Sequence, residues 1–234
     1  SDVKDYSGYN NNGTISGALW QRYLNEDNNS LVLLMPFDSD NSTTAIDASD
    51  YKNNGVLGNL TAGTQPTLTA GITGNAYSFD GNNDFINITN VNQFNNLTRG
   101  TIELWFKTGS KSEGVILETS RSSGAANYFI IETCDDACSG SMSNEQIFIS
   151  KTLAGTTIFA AGITSTQLGG TIDNNKWYSL VYVVNDTGNA FYLNGVNVIP
   201  TYQNGNAQTL AFLNSTAMNE MALGKLTVAG STAT

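Results

Sequence analysis

From residue 31 onward, apolar and polar positions alternate with a period of two. The stretch "TIELWFKT" puts Ile102, Leu104 and Phe106 on one face and Glu103, Trp105 and Lys107 on the other, as a half-buried strand requires. "NYFIIET", "EQIFISK", "TIFAAGI", "WYSLVYVV", "NAFYLNGV" and "EMALGKLTV" are also short, rich in aromatic and β-branched residues, and bounded by Gly, Asn or Ser. No window of twelve or more residues carries a 3.6-residue period with caps. Asn-Gly pairs at Asn12, Asn54, Asn194 and Asn204 predict tight turns with positive φ. Roughly a dozen short strands separated by turn signals predict one antiparallel two-sheet sandwich. Trp105 and Trp177 fall within strands and are expected in the core. Pro36 interrupts "LVLLMPFD", so that strand is expected at an edge or with a bulge.

One phrase occurs twice. "DYSGYNNNGTISG" (residues 5–17) aligns without a gap on "DASDYKNNGVLGN" (residues 47–59), Asp5 on Asp47 and Asn12-Gly13 on Asn54-Gly55, 42 residues apart. The similarity stops at the phrase, so it is a duplicated fragment and no solenoid. Residues 18–30, "ALWQRYLNEDNNS", follow as an arm: Trp20, Tyr23 and Leu24 seek burial, and "NEDNNS" is a solvated break. The expected organisation is an N-terminal arm over 1–28 and a sandwich over 29–234.

Composition narrows the chemistry. The 234 residues suffice for one large β domain with a real core. Only 13% are charged, none is His, and the formal net charge is −10. Ten Lys and Arg are too few and too scattered for nucleic acid. No apolar run approaches the roughly 20 residues of a membrane span, and the first residues do not form a signal peptide. Cys134 and Cys138 frame "CDDAC", a poor zinc site but a plausible disulfide that would contribute about 2 kcal/mol and imply an oxidising, extracellular or cell-surface setting. Eight Asn-x-Ser/Thr sequons, at Asn12, Asn28, Asn41, Asn59, Asn87, Asn96, Asn185 and Asn214, suit a glycosylated surface protein at a frequency near that expected by chance.

The order "LVLLMPFD", "DASDYKNNG", "AYSFDGNNDFINI", "TIELWFKT", "NKWYSLVYVV", "NAFYLNGV" and "MALGK" resembles the laminin-G-like jelly roll of the concanavalin A-like lectin/glucanase superfamily. The resemblance covers roughly residues 31–225. It implies a structural Ca²⁺ after the first strand, with Asp38, Asp47 and Asn54 at the matching positions, because Ca²⁺ takes carboxylate, amide and carbonyl oxygens. In the alternative reading, Asp47 and Asp50 cap their own turn. "FDGNNDF" (Asp80, Asn82, Asn83, Asp84) is a second oxygen-rich loop with the same two readings. The family's usual final strand, which returns beside the first, has no counterpart here. Its absence would leave an open sheet edge, to be filled by residues 12–24 of the same chain or of a neighbour.

Catalysis finds no support. Glucanases of this superfamily pair carboxylates on one strand, whereas Glu103, Glu118 and Glu132 each stand alone. A Ser-His-Asp triad is excluded by the lack of His. Tyr202, in "IPTYQNGNAQ", is the loop residue expected to touch a sugar. The sequence therefore reads as a non-enzymatic extracellular binding or adhesion module for glycan or protein at a cell surface. The alternative is a structural subunit of a filament or layer, a homo-oligomer assembled by strand exchange through the N-terminal arm. A glycoside hydrolase ranks last.

Overall fold

The computed structural model describes residues 2–3, 13–14, 30–109, 114–121, 127–134, 145–172, 175–214 and 218–225. The chain divides into two compact units, Ser1–Leu31 and Val32–Thr234. In the first unit, β1 (Asp2–Val3) pairs antiparallel with β2 (Gly13–Thr14), Asp2 opposite Thr14 and Val3 opposite Gly13. Trp20, Tyr23, Leu24, Asn12 and Asn28 lie outside the described residues.

The second unit opens with β3 (Thr44–Ala45), β4 (Gly55–Leu57), the hairpin β5 (Thr67–Ala70) and β6 (Asn75–Ser78), and β7 (Ile86–Ile88). It continues through β8 (Gly100–Lys107), β9 (Gly114–Ser120), β10 (Tyr128–Thr133), β11 (Glu145–Leu153), β12 (Thr156–Thr164) and the short helix α1 (Ser165–Leu168). It ends with β13 (Trp177–Asn185), β14 (Gly188–Leu193), β15 (Val196–Val198), β16 (Thr201–Asn204) and β17 (Glu220–Leu223). Nine strands form one sheet in the order β16-β12-β11-β10-β9-β17-β7-β4-β3, and four form another in the order β15-β14-β13-β8. All described pairings are antiparallel, and the architecture is the two-sheet sandwich that the alternation predicts, in the jelly-roll form that the resemblance implies.

The inner faces supply the core. Leu180, Tyr182 and Val184 of β13 and Phe191 of β14 meet Phe129, Ile131, Ile149 and Phe159 of the larger sheet. The Tyr182 ring lies 5.0 Å from Phe191 and 5.9 Å from Phe129, and its buried hydroxyl donates to the Ala211 carbonyl at 2.6 Å, so the polar tip is satisfied.

Turn chemistry departs from the Asn-Gly expectation. Asn194 (φ 51°) and Gly195 (φ 79°) do make the tight turn between β14 and β15. Asn54-Gly55 does not: Gly55 starts β4, and its Cβ, if present, would lie 2.4 Å from Ile86 Cγ2. Glycine is needed there for close strand packing.

Two further expectations are corrected. Residues 31–36 form no strand. Pro36 removes a ladder donor, and Phe37 turns the chain at φ 61°. The backbone of 32–34 is held instead by side chains of residues 47–53. Trp105 is 49% exposed and belongs to the outer face of its sheet, not to the core; Trp177 is half-buried.

The repeat is longer in structure than in sequence. Thr44 pairs with Val56 and Ala45 with Gly55, the same register, 42 residues on, as Asp2 with Thr14 and Val3 with Gly13. Asp2-Val3 and Thr44-Ala45 share no residue, so only the ladder discloses this extension.

Candidate functional site

A cleft forms where the turn after Phe37 faces the hairpin β5–β6. The positive φ of Phe37 is unusual for a bulky residue. Its ring meets Tyr77 edge-on at 5.1 Å. Asp38 Oδ1 accepts the Asn75 N–H at 2.8 Å, tying the turn to the hairpin. Gly74 permits this approach, since a Cβ there would sit 2.3 Å from the same oxygen. Next along the chain, Asp40 Oδ1 accepts the Ile46 N–H at 2.8 Å, and Asn41 Oδ1 accepts the Thr43 N–H at 2.9 Å, an Asx turn that leads into β3.

The enclosed space is about 280 Å³, at the small end of ligand sites. Buried Leu57 and Pro66 contribute to its apolar lining. Leu68 and Tyr77, directly opposite in the β5–β6 register, provide apolar and aromatic surface, with Leu68 47% exposed. Asp40, Asn41, Ser42 and Gln65 add a carboxylate, two amides and a hydroxyl. The Tyr77 hydroxyl is pushed up to about 12 from 10.0, first by burial and then by the nearby Asp40 carboxylate. Asp40 Oδ2 is enclosed and accepts no hydrogen bond of ordinary geometry, although the tyrosine lies near enough to interact. The set offers an apolar face beside convergent hydrogen-bonding groups.

The residues expected to hold calcium take part in hydrogen bonds within the protein. Asp47 is fully buried. Its Oδ1 accepts the N–H groups of Leu34 and Ser49, each at 2.8 Å. Its Oδ2 accepts Ser49 Oγ–H and Asn53 N–H, each at 2.7 Å. Asn54 Oδ1 accepts the Asp47 N–H at 2.9 Å. Asp38 is engaged with the hairpin, and among the described residues no group of three His, Cys, Asp or Glu is placed to hold a metal. The geometry around Asp47 is that of the turn-capping alternative. Asp80 behaves alike: its Oδ1 accepts the N–H of Asn82 at 2.9 Å and of Asn83 at 3.2 Å, and chiefly the first holds its carboxyl below the usual range.

Tyr202 does not occupy a loop. It lies in the edge strand β16, packs edge-on against Phe159 at 6.0 Å, and donates its hydroxyl to Asn189 Oδ1 at 2.9 Å. The ring is half-buried in that position. Cys134 is buried and disulfide-bonded, while Cys138 lies outside the described residues. Among the sequons, Asn41, Asn59, Asn96 and Asn185 are exposed, and Asn87 and Asn214 are half-buried. Glu118 and Glu132, isolated in sequence, stand on adjacent strands, yet both are buried. Asp40, Gln65, Leu68 and Tyr77 escaped the sequence reading, because no spacing joins positions that only the hairpin brings together.

No family model and no curated protein matches the chain. Among solved structures, it is similar to domain 4 of a GH43 extracellular arabinanase from Geobacillus stearothermophilus, in complex with arabinotriose, at 13% identity, with 76% of each chain covered and a TM-score of 0.50. It is also similar to the binding domain of botulinum neurotoxin DC, in complex with SialylT, at 15% identity and a TM-score of 0.50. That match covers 84% of this chain but 43% of the toxin domain, so the chain spans less than half its length. A match to domains LG4-5 of the mouse laminin alpha1 chain, at 13% identity, 55% and 28% coverage and a TM-score of 0.36, is too shallow to add weight. The likeness establishes the fold, a jelly-roll sandwich.

Proposed function

We propose that this chain is a non-enzymatic, extracellular carbohydrate-binding module whose cleft takes one residue of a neutral glycan. The carrying observation is the convergence of Tyr77 and Leu68 with Asp40, Asn41, Ser42 and Gln65 around about 280 Å³. Aromatic and aliphatic side chains suit the C–H face of a sugar, and short polar side chains suit its vicinal hydroxyls. The binding modules with which the fold is shared, one solved with arabinotriose and one with SialylT, support the reading. Charge selects among such ligands. A carboxylate in the cleft and a formal net charge of −10 disfavour sialylated and other anionic glycans.

A glycan array that includes arabino-oligosaccharides, other neutral glycans and sialylated glycans tests this. Binding to neutral glycans that Tyr77→Ala reduces at least tenfold supports the proposal. Absence of hits, or hits that Tyr77→Ala and Asp40→Ala leave intact, refutes it.

A second reading, a filament or layer subunit joined through residues 1–28, draws support from the repeated ladder of β1–β2 and β3–β4. Electron microscopy of the chain with and without residues 1–28 checks it: polymers that vanish on deletion support it, and their absence from the full chain rejects it.

A further inference from the structure

The two sheets have four edges among the described residues, and three are short: β3 has two residues, β15 three and β16 four. Short edges are one way proteins avoid pairing with other chains. The fourth edge, β8, has eight residues. It pairs with β13 from Gly100 opposite Val184 to Lys107 opposite Trp177 without a bulge, and no described strand pairs with its other side. It contains no proline. Ile102 and Leu104, which pack toward the core, stay half-exposed, as expected where a neighbouring strand is missing. The outer face presents Thr101, Glu103, Trp105 and Lys107, all exposed.

This order of side chains is self-complementary. In an antiparallel pair centred on Trp105, residue numbers at opposed positions keep a constant sum. Trp105 then faces its own counterpart, Glu103 faces the partner's Lys107, and Lys107 faces the partner's Glu103. On the inner face, Leu104 meets the partner's Phe106. Opposite charges and aromatic pairs at opposed positions are the side-chain interactions that stabilise adjacent strands. We propose that β8 joins edge to edge with β8 of a second copy of this chain, antiparallel about Trp105, merging two four-stranded sheets into one continuous sheet. The cleft at Tyr77 belongs to other strands and turns, so the proposal is independent of glycan binding.

Sedimentation equilibrium of the whole chain tests it through charge reversal. The wild type should dimerise reversibly, with Trp emission moving to the blue as Trp105 is covered. Glu103→Lys and Lys107→Glu should each weaken the dimer about tenfold or more, because each sets like charges opposite each other twice. The double variant Glu103→Lys/Lys107→Glu should restore it, since the pairs re-form with exchanged signs. Unchanged melting temperatures of the single variants show that they fold. A wild type that stays monomeric at hundreds of micromolar overturns the proposal. So does a dimer indifferent to the single reversals, or one that the double variant fails to restore.

Discussion

The buried carboxylate of Asp47 accepts the backbone N–H of Leu34, thirteen residues earlier, at 2.8 Å. This bond replaces a strand ladder. Ala48 N–H donates to the Leu34 carbonyl at 2.7 Å, while the Asn53 side-chain amide donates to the Val32 carbonyl at 2.9 Å. The segment 32–34 is thereby fixed against the sandwich by one turn. Removing a buried acceptor leaves several N–H groups unsatisfied. Asp47→Ala should cost about 3 kcal/mol, read by urea unfolding. Since protein donors occupy both oxygens, EDTA should leave the melting temperature unchanged. A fall with EDTA that Ca²⁺ reverses would restore calcium to this turn.

Gly55 and Ile86 give a packing test. Gly55→Ala places a Cβ 2.4 Å from Ile86 Cγ2 and should destabilise by about 2 kcal/mol through overpacking. In a double-mutant cycle, Ile86→Ala removes the obstructing atom, so the two losses should fall short of additive. Full additivity would mean that the contact does not limit this position.

Lys151 gives stability a pH dependence. It is 1% exposed, and its ammonium donates to the carbonyls of Phe212 and Asn214 at 2.6 and 2.5 Å and to Asn214 Oδ1 at 2.5 Å. Burial lowers its pKa from 10.5 to about 8. Between those values the unfolded chain binds the extra proton, so unfolding free energy should rise as pH climbs from 8 toward 10.5. Tyr77 opposes this only at higher pH, because its contribution is lost from 10.0 to about 12. The wild type should therefore stabilise between pH 8 and 10 relative to Lys151→Met. Parallel curves for the two proteins over that range would contradict the assignment.

Much of the sandwich was legible because alternation reports burial directly. In "WYSLVYVV", Tyr178, Leu180, Tyr182 and Val184 are buried on one face, as a period of two requires, and Ser179 is the one residue of the other face buried with them. Alternation says less about depth. Trp105 alternates correctly, yet its face of β8 is the solvent face, and polarity on either side of it does not reveal that. The opening segment misled because "LVLLM" reads as a strand while Pro36 and the left-handed Phe37 take it out of the ladder. Tyr202 misled because its Asn-Gly neighbourhood signals a loop, whereas Asn204 and Gly205 end an edge strand. The cleft was hidden for a different reason. Asp40 and Tyr77 stand 37 positions apart and come together only through the Asp38 bond to Asn75, a long-range contact that no local pattern encodes.

Glycan binding at the Tyr77 cleft is tested most directly by ¹H–¹⁵N NMR titration of the whole chain with the best neutral glycan from the array. Amide shifts should cluster at Asn41, Ser42, Gln65, Leu68 and Tyr77, with saturation that Tyr77→Ala abolishes. Shifts confined to the outer face of the four-stranded sheet, at Trp105 and Tyr192, or saturation unaffected by Tyr77→Ala, would place recognition elsewhere and contradict the assignment of this cleft.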